Sequence, residues 1–363
     1  MTAQSRASST AVGGYIFDQC LFTAAPNAGT DLTNEVYLAP SSRSATDPRT
    51  DHITFAEYNN VGPSNWENNA AARQSFGNAT LLTSDIYPLS AVMDSTEWID
   101  MTYWNSIVTP QPAVVVIIPT NITVNGTSVF NGTAPPSGAL IVSKTPITSV
   151  TTYGTIQAAL DAAPTSSKTN ATIFIYPGVY TEQLIVNKSG HTIFQGYSSA
   201  TDDYAQNQVT IQFSRGSDTQ ATTGSNTDGV TVYATGNYFH AFNINFRNNN
   251  ETQQDIASLA FAVKSSKFAA LCSCQIYGNQ DTLSISGNLF IFKTYIEGNV
   301  DFIYGAGSGY FLDSTISPNE DGISITASKR ATNTTSACFV FDQCTLKPAA
   351  GTGPFTNVGL GRP

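Results

Sequence analysis

The chain has 363 residues, of which only 12% are charged, and its net charge is −10. An acidic surface offers no basic face for phosphates, so nucleic acid is not an expected partner. The longest apolar run, "AVVVIIP" at 113–119, is far too short to cross a bilayer, so neither is a membrane.

In chain order, the opening "MTAQSRASSTAVGG" has no apolar core and does not read as a signal peptide. Either a leader has been removed or the chain starts inside something larger. Eight Asn-x-Ser/Thr sequons, at Asn78, Asn121, Asn125, Asn131, Asn170, Asn187, Asn250 and Asn333, point to a secreted, extracellular glycoprotein. Residues 108–138 are rich in Pro, Thr, Asn and Gly and read as a linker between a first domain, 1–107, and a second, 139–363. The clearest helix is 155–167, where Ile156, Ala159, Leu160 and Ala163 share a face and Pro164 ends the run.

Most of the remainder reads as strands of four to six residues separated by Gly, Asn and Ser. Five of them align on Phe246, Ile276, Ile296, Ile316 and Leu346, at intervals of 30, 20, 20 and 30 residues. A period near 20 is that of a solenoid, in which each coil buries its apolar residues against its neighbours. The expected fold is all-β, a right-handed parallel β-helix, with a β-sandwich as the alternative.

A longer repeat is also present. Residues 2–20 align without gaps on 326–344 with nine of nineteen identical, and "LTNEVYLAPSS" at 32–42 answers "FTNVGLGRP" at 355–363. Two incompletely represented tandem domains account for this better than a permutation does.

The five cysteines, Cys20, Cys272, Cys274, Cys338 and Cys344, form no disulfide framework. "CSC" at 272–274 alternates along a strand, with one thiol inward, and Cys338–Cys344 is a candidate bridge. His52, His191 and His240 are isolated and read as structural or surface residues. No metal-ligand spacing occurs, so no cofactor or metal is expected.

Four stretches carry chemistry: "GVYTE" (178–182), "GNQDTL" (278–283), "GNVDFIYG" (298–305) and "GLGRP" (359–363). In this order they resemble the pectin methylesterases (pectinesterases), over residues 139–363. Residues 1–107 resemble the C-terminal part of a second, degenerate copy, with Pro40 or Ser41 where the arginine should stand. The resemblance implies the parallel β-helix, methylated polygalacturonate as partner, no cofactor and a monomer.

It also implies roles. Asp301 is the nucleophile on the methyl-ester carbonyl, and Asp281 is the acid that protonates methanol and then the base for water. Gln280 donates to the oxyanion, and Arg362 holds Asp301 ionised. Physically, two carboxylates one coil apart stand about 4.8 Å from each other. They repel, so one keeps its proton, which is the pairing that acid–base chemistry needs. Tyr304 either lines the sugar groove or packs between coils, while Tyr180 and Glu182 brace a coil.

Two departures bear on activity. The family carries a second glutamine where this chain has Ser258, 22 residues before Gln280, leaving a shorter group as the second substrate contact. The tryptophan that follows the family's arginine motif lies past Pro363, so the second domain reads as truncated at its C-terminal end. Its open sheet edge is an aggregation liability, and strands such as "ITFAEYNN" (53–60) are expected to fold back and cap it. The alternative function is an impaired remnant or polysaccharide-binding β-helix. A serine esterase is disfavoured because no G-x-S-x-G elbow occurs, and a calcium-dependent lyase because no acidic cluster does.

Overall fold

The computed structural model describes residues 132–166, 169–217, 225–250, 256–328, 338–355 and 357–362. It also describes the backbone of strands Tyr15–Asp18, Leu21–Phe22, Phe55–Tyr58, Ala79–Leu81, Thr123–Val124 and Thr127–Ser128. Most of the 108–138 linker, the "VYLAPSS" segment, Cys20 and the Arg362 side chain lie outside the described residues.

Each turn of the chain lays one strand in each of three parallel sheets. One turn runs through Phe268–Cys272, Gln275–Tyr277 and Leu283–Ile285, and the next begins with Asn288–Phe292 on top of the first. Among the described residues the three sheets hold twelve, eight and seven strands. The fold is a parallel β-helix.

The apolar file read from the sequence is the strand register of the second sheet. Phe246, Ile276, Ile296, Ile316 and Leu346 are successive partners, and the file continues back through Ile211 to Tyr180. All but Leu346 are fully buried. The extra residues of the two longer intervals fall between strands, Asn248 to Phe261 and Ser328 to Phe339, and leave the register intact.

The corner between the first and second sheets repeats just as closely. Asn243, Ser273, Lys293, Asp313 and Gln343 all take left-handed backbone conformations, with φ between 46° and 54°. The residue after the corner then points inward and binds a carbonyl of its own turn. Thr294 Oγ1 donates to Phe292 O at 3.0 Å and Ser314 Oγ to Leu312 O at 2.8 Å. Cys274 Sγ and Cys344 Sγ do the same to Cys272 O and Asp342 O, each at 3.4 Å. These cysteines thus stand where other coils place a hydroxyl. The candidate Cys338–Cys344 bridge is not formed, and Cys344 Sγ lies instead against Phe311 O and Asp342 O. The reason is the corner itself, which locks Cys344 into the core. The alternation of "CSC" is observed, with Cys274 fully buried and Cys272 half-buried.

The expected helix spans Ile156–Ala162 and buries Ile156, Ala159 and Leu160, ending before Pro164. Thr155 caps its N-terminus by accepting from Ala158 N. Glu182 of "GVYTE" adds a two-pronged cap, accepting from Ile156 N at 2.9 Å and Gln157 N at 2.8 Å. A carboxylate there meets both the orphan donors and the positive end of the helix. Tyr180 is fully buried, and its hydroxyl donates to Tyr176 O at 2.9 Å. Both residues brace the first coils, as the sequence suggested.

The far end of the solenoid is covered by the chain's own N-terminal strands. Tyr15–Asp18 pairs with Phe339–Asp342, and Leu21–Phe22 with Thr345–Leu346. Every partner lies 324 positions further along, the same offset that aligns 2–20 with 326–344. The internal repeat is therefore a coil stacked on its own likeness. Phe55–Tyr58 and then Ala79–Leu81 extend the same sheet outward. This is the capping expected of "ITFAEYNN".

Candidate active site

The corner between the second and third sheets is where the two carboxylates meet. Strands Gln275–Tyr277 and Tyr295–Gly298 each turn sharply into Leu283–Ile285 and Ile303–Gly305. Leu283 pairs with Ile303, so Asp281 and Asp301 occupy the same position on consecutive turns, about 4.8 Å apart along the stack. Both are left-handed, with φ of 61° and 53°. Their backbone N–H groups bond onward to the next coil, Asp281 to Val300 O at 3.1 Å and Asp301 to Ser324 O at 2.7 Å. The backbone thereby fixes both Cα–Cβ directions. Only 8% of Asp281 and 4% of Asp301 is exposed.

Close stacking at this corner depends on glycine. A Cβ on Gly298 would stand 2.4 Å from Phe302 Cβ and 2.5 Å from Thr282 Oγ1. Gly305, at φ +135°, would put one 2.0 Å from Ile285 O. The glycines of "GNVDFIYG" are therefore required by packing beneath the carboxylates.

Beside the corner, a file of residues runs across the third sheet in the order Tyr233, Ala262, Ser284, Tyr304, Ala327, Arg362. The two small residues Ala262 and Ser284 lie between the tyrosines, which rise on either side of them. Tyr233 and Tyr304 both pack against the buried cluster of Val230, Ala257, Leu259 and Ala262. Tyr304 is half-buried there, with part of its ring packed on that cluster and the rest accessible. Its hydroxyl is pushed up to about 12, first by burial and then by the negative charge of Asp281, against hydrogen bonds with Ser284 and Asn226. It stays protonated, beside the carboxylate. Arg362 enters this geometry through its backbone, in register with Ala327.

Gln280 lies directly before Asp281 and is half-buried, and its carbonyl accepts from Ser258 N at 2.9 Å. Ser258 departs from the substrate contact expected of it. It is fully buried, and its Oγ accepts from Asn279 N at 3.0 Å. A hydroxyl so short and so enclosed braces the turn that carries Gln280 and Asp281.

One residue escaped the sequence reading. Asn226 Nδ2 donates to Asp281 Oδ2 at 2.9 Å. Asn226 starts a single 3₁₀ turn, Asn226–Gly229, two strands away in the third sheet. Nothing in its local sequence marks it, because its contact is made across an intervening coil.

The Pectinesterase family profile matches residues 141–363. The chain belongs to the pectinesterase family. Its relatives include the probable pectinesterase A of Aspergillus niger, 36% identical over 233 residues that make up 64% of this chain and 67% of that protein. The probable pectinesterase A of Aspergillus flavus is 36% identical over 213 residues, 58% of this chain and 63% of the relative. The chain thus spans about two thirds of the length of these relatives. Among solved structures, the Aspergillus niger pectin methylesterase in deglycosylated form is 33% identical, with a TM-score of 0.56 over 64% of this chain and 73% of that one. The carrot pectin methylesterase is 26% identical, with a TM-score of 0.50 over 60% and 66% of the respective chains. Pectinesterases are carboxylic ester hydrolases, and the matched region contains the whole Asp281–Asp301 corner.

Proposed function

We propose that this chain hydrolyses the methyl esters of polygalacturonate, releasing methanol and leaving pectate. The observation that carries the reading is the pair Asp281 and Asp301, set at one position of consecutive coils and nearly enclosed, in a chain with few other charges. Asp301 attacks the ester carbonyl, forming a bond from its Oδ to the carbonyl carbon. Gln280 donates its side-chain amide to the tetrahedral oxyanion, a donor whose loss typically costs about 10²–10³ in rate. The intermediate collapses as the C–O bond to methoxyl breaks and Asp281 delivers its proton to the leaving oxygen. Asp281, now a carboxylate, takes a proton from water. The resulting hydroxide attacks the mixed anhydride and frees Asp301. The family resemblance assigns Arg362 the task of orienting Asp301.

The wider setting belongs to the same proposal. The protein acts outside the cell on plant-wall pectin, as a monomer, and residues 1–107 derive from a second copy of the fold whose arginine position is lost. The exposed sequon residues Asn170 and Asn187 accord with a secreted glycoprotein.

The test is methanol release from highly methylated pectin by this chain and by Asp301→Asn. We expect turnover by the first and loss of it in the second, with both folded. A folded but inactive parent chain would favour the reading as a non-catalytic, pectin-binding β-helix, toward which the buried Ser258 points.

A further inference from the structure

The chemistry proposed for Asp281 makes two demands on one carboxyl group. It must present a proton to methoxyl in one step, then remain as a stable carboxylate until water arrives. A side chain at this nearly enclosed corner meets both when one oxygen is held while the other works. Asp281 Oδ2 is the oxygen held, and the group that holds it is the carboxamide of Asn226, at 2.9 Å.

Asn226 is itself firmly placed. Ser225 caps its 3₁₀ turn, the Ser225 Oγ accepting from Thr227 N at 3.3 Å. Gln183 Nε2 donates to Asp228 O at 2.7 Å and to Val230 O at 2.9 Å, clamping the turn from the preceding coil. Asn248 Nδ2 donates to Gly229 O at 3.1 Å and to Leu259 O at 3.0 Å, tying the turn to the coil that follows. Two buried or half-buried carboxamides therefore fix the backbone from which Asn226 projects, which is the support that a precise site needs.

The intervening coil explains how Asn226 reaches Asp281. Between the turn 226–229 and the strand Leu283–Ile285 lies the coil of Phe261–Val263, preceded by Ser258. Ser258 is small and fully buried, its Oγ engaged with Asn279 N.

We propose that Asn226 is a positioning residue of the esterase site, its carboxamide holding Asp281 Oδ2 from two strands away. This rests on the role given to Asp281 above. With Oδ2 accepting from Asn226, the acidic proton is carried on Oδ1 and faces the leaving methoxyl. When that proton has gone, the same N–H donor stabilises the carboxylate left behind. Neither step consumes or creates a bond to Asn226. Among the described residues, the titratable groups facing Asp281 are Asp301 on the next coil and Tyr304 on Ile303–Gly305, with Tyr233 coupled to Tyr304 behind it.

The sign of the pH effect follows. A donor to the charged form favours ionisation of Asp281. Its removal makes Asp281 a weaker acid, so the alkaline limb of the rate profile, where Asp281 loses the proton it must donate, moves to higher pH. Asn226→Asp replaces the donor with a like charge at the same size and should move the limb further in the same direction.

The experiment measures kcat and KM for methanol release against pH for the parent chain, Asn226→Ala and Asn226→Asp, with thermal melting of each. We expect kcat to fall on the order of tenfold in Asn226→Ala, the effect of one hydrogen bond to a charged group. KM should change little, and the alkaline limb should rise by about one pH unit. The isosteric Asn226→Asp carries the test if Asn226→Ala melts early. Alkaline limbs in both variants that superimpose on the parent's would overturn the assignment while leaving the esterase intact. A parent chain with no turnover would instead overturn the esterase reading, and this assignment with it.

Discussion

Two corners of this solenoid share one backbone conformation and differ in everything else. Between the first and second sheets, Asn243, Ser273, Lys293, Asp313 and Gln343 are left-handed on coil after coil. Between the second and third sheets, Asp281 and Asp301 are left-handed as well. An isolated non-glycine residue at positive φ would invite a functional explanation. Here the first corner shows that the conformation is how the chain turns from one sheet to the next, whatever side chain it carries. What separates the second corner is its surroundings: carboxylates nearly enclosed, tyrosines along the adjacent file, glycines beneath and a carboxamide reaching Asp281 from another coil. The architecture supplies a rigid turn, and the chemistry is a choice of side chain placed upon it.

The largest expected difference between the corners is in activity. Asp301→Asn keeps a residue that tolerates the left-handed turn and should reduce methanol release by at least about 10³, since no neighbouring group replaces a lost nucleophile. The equally conservative Asp313→Asn at the first corner should leave release within about twofold, as surface changes away from special sites cost little. Comparable losses from both would mean that the two corners are not functionally distinct.

The next effect lies in the core that both corners serve. Ile296 is fully buried in the file between Ile276 and Ile316. Ile296→Ala should destabilise the fold by about 2–5 kcal/mol through lost burial and the cavity left behind, as read from urea unfolding. Because the strand Tyr295–Gly298 leads directly into Asp301, activity should fall at temperatures below the melting transition. An unchanged midpoint would show that the file is looser than its register suggests.

A smaller effect compares the corners through the backbone alone. Lys293 sits at φ 46° and is partly exposed. Lys293→Gly should stabilise by up to about 1 kcal/mol, because glycine adopts this region without steric cost. Asp301→Gly should give a similar gain at the second corner while abolishing turnover. Stability rising at both, with activity lost at only one, would separate the conformation from the function it carries.

These contrasts also show which features were legible in the chain. The file from Phe246 to Leu346 could be read directly, because a solenoid forces register partners to recur at the coil period. The 324-residue offset between Tyr15 and Phe339 was visible for the same reason, although stacking in register was not its only reading. Asp281, Asp301 and Gln280 stood out by their motifs. Ser258 and Asn226 could not be judged in advance. Whether Ser258 faces a groove or a neighbouring backbone depends on the turn it braces, and Asn226 meets Asp281 only across the intervening coil of Phe261–Val263. Cys344 was misjudged as half of a bridge because its inward corner position, shared with Ser314 and Thr294, is a three-dimensional property.

The last contrast is confined to acid pH and tests the outer face of the first sheet, away from both corners. His191 and His240 meet edge to face, with ring centroids 4.2 Å apart. Burial lowers both, and the charge of His191 adds to the effect on His240, which is held down to about 3. A histidine that stays neutral when folded but takes a proton near 6.5 when unfolded favours the unfolded chain as pH falls. The contribution to stability is therefore fully present above about pH 6.5 and is lost progressively toward pH 3. Melting temperature should decline over that window in the parent chain and decline less steeply in His240→Phe, which keeps a ring against His191 and carries no titrating nitrogen. Parallel declines in the two proteins would assign the acid sensitivity to the carboxylates instead, and would return attention to the corner where Asp281 and Asp301 are stacked.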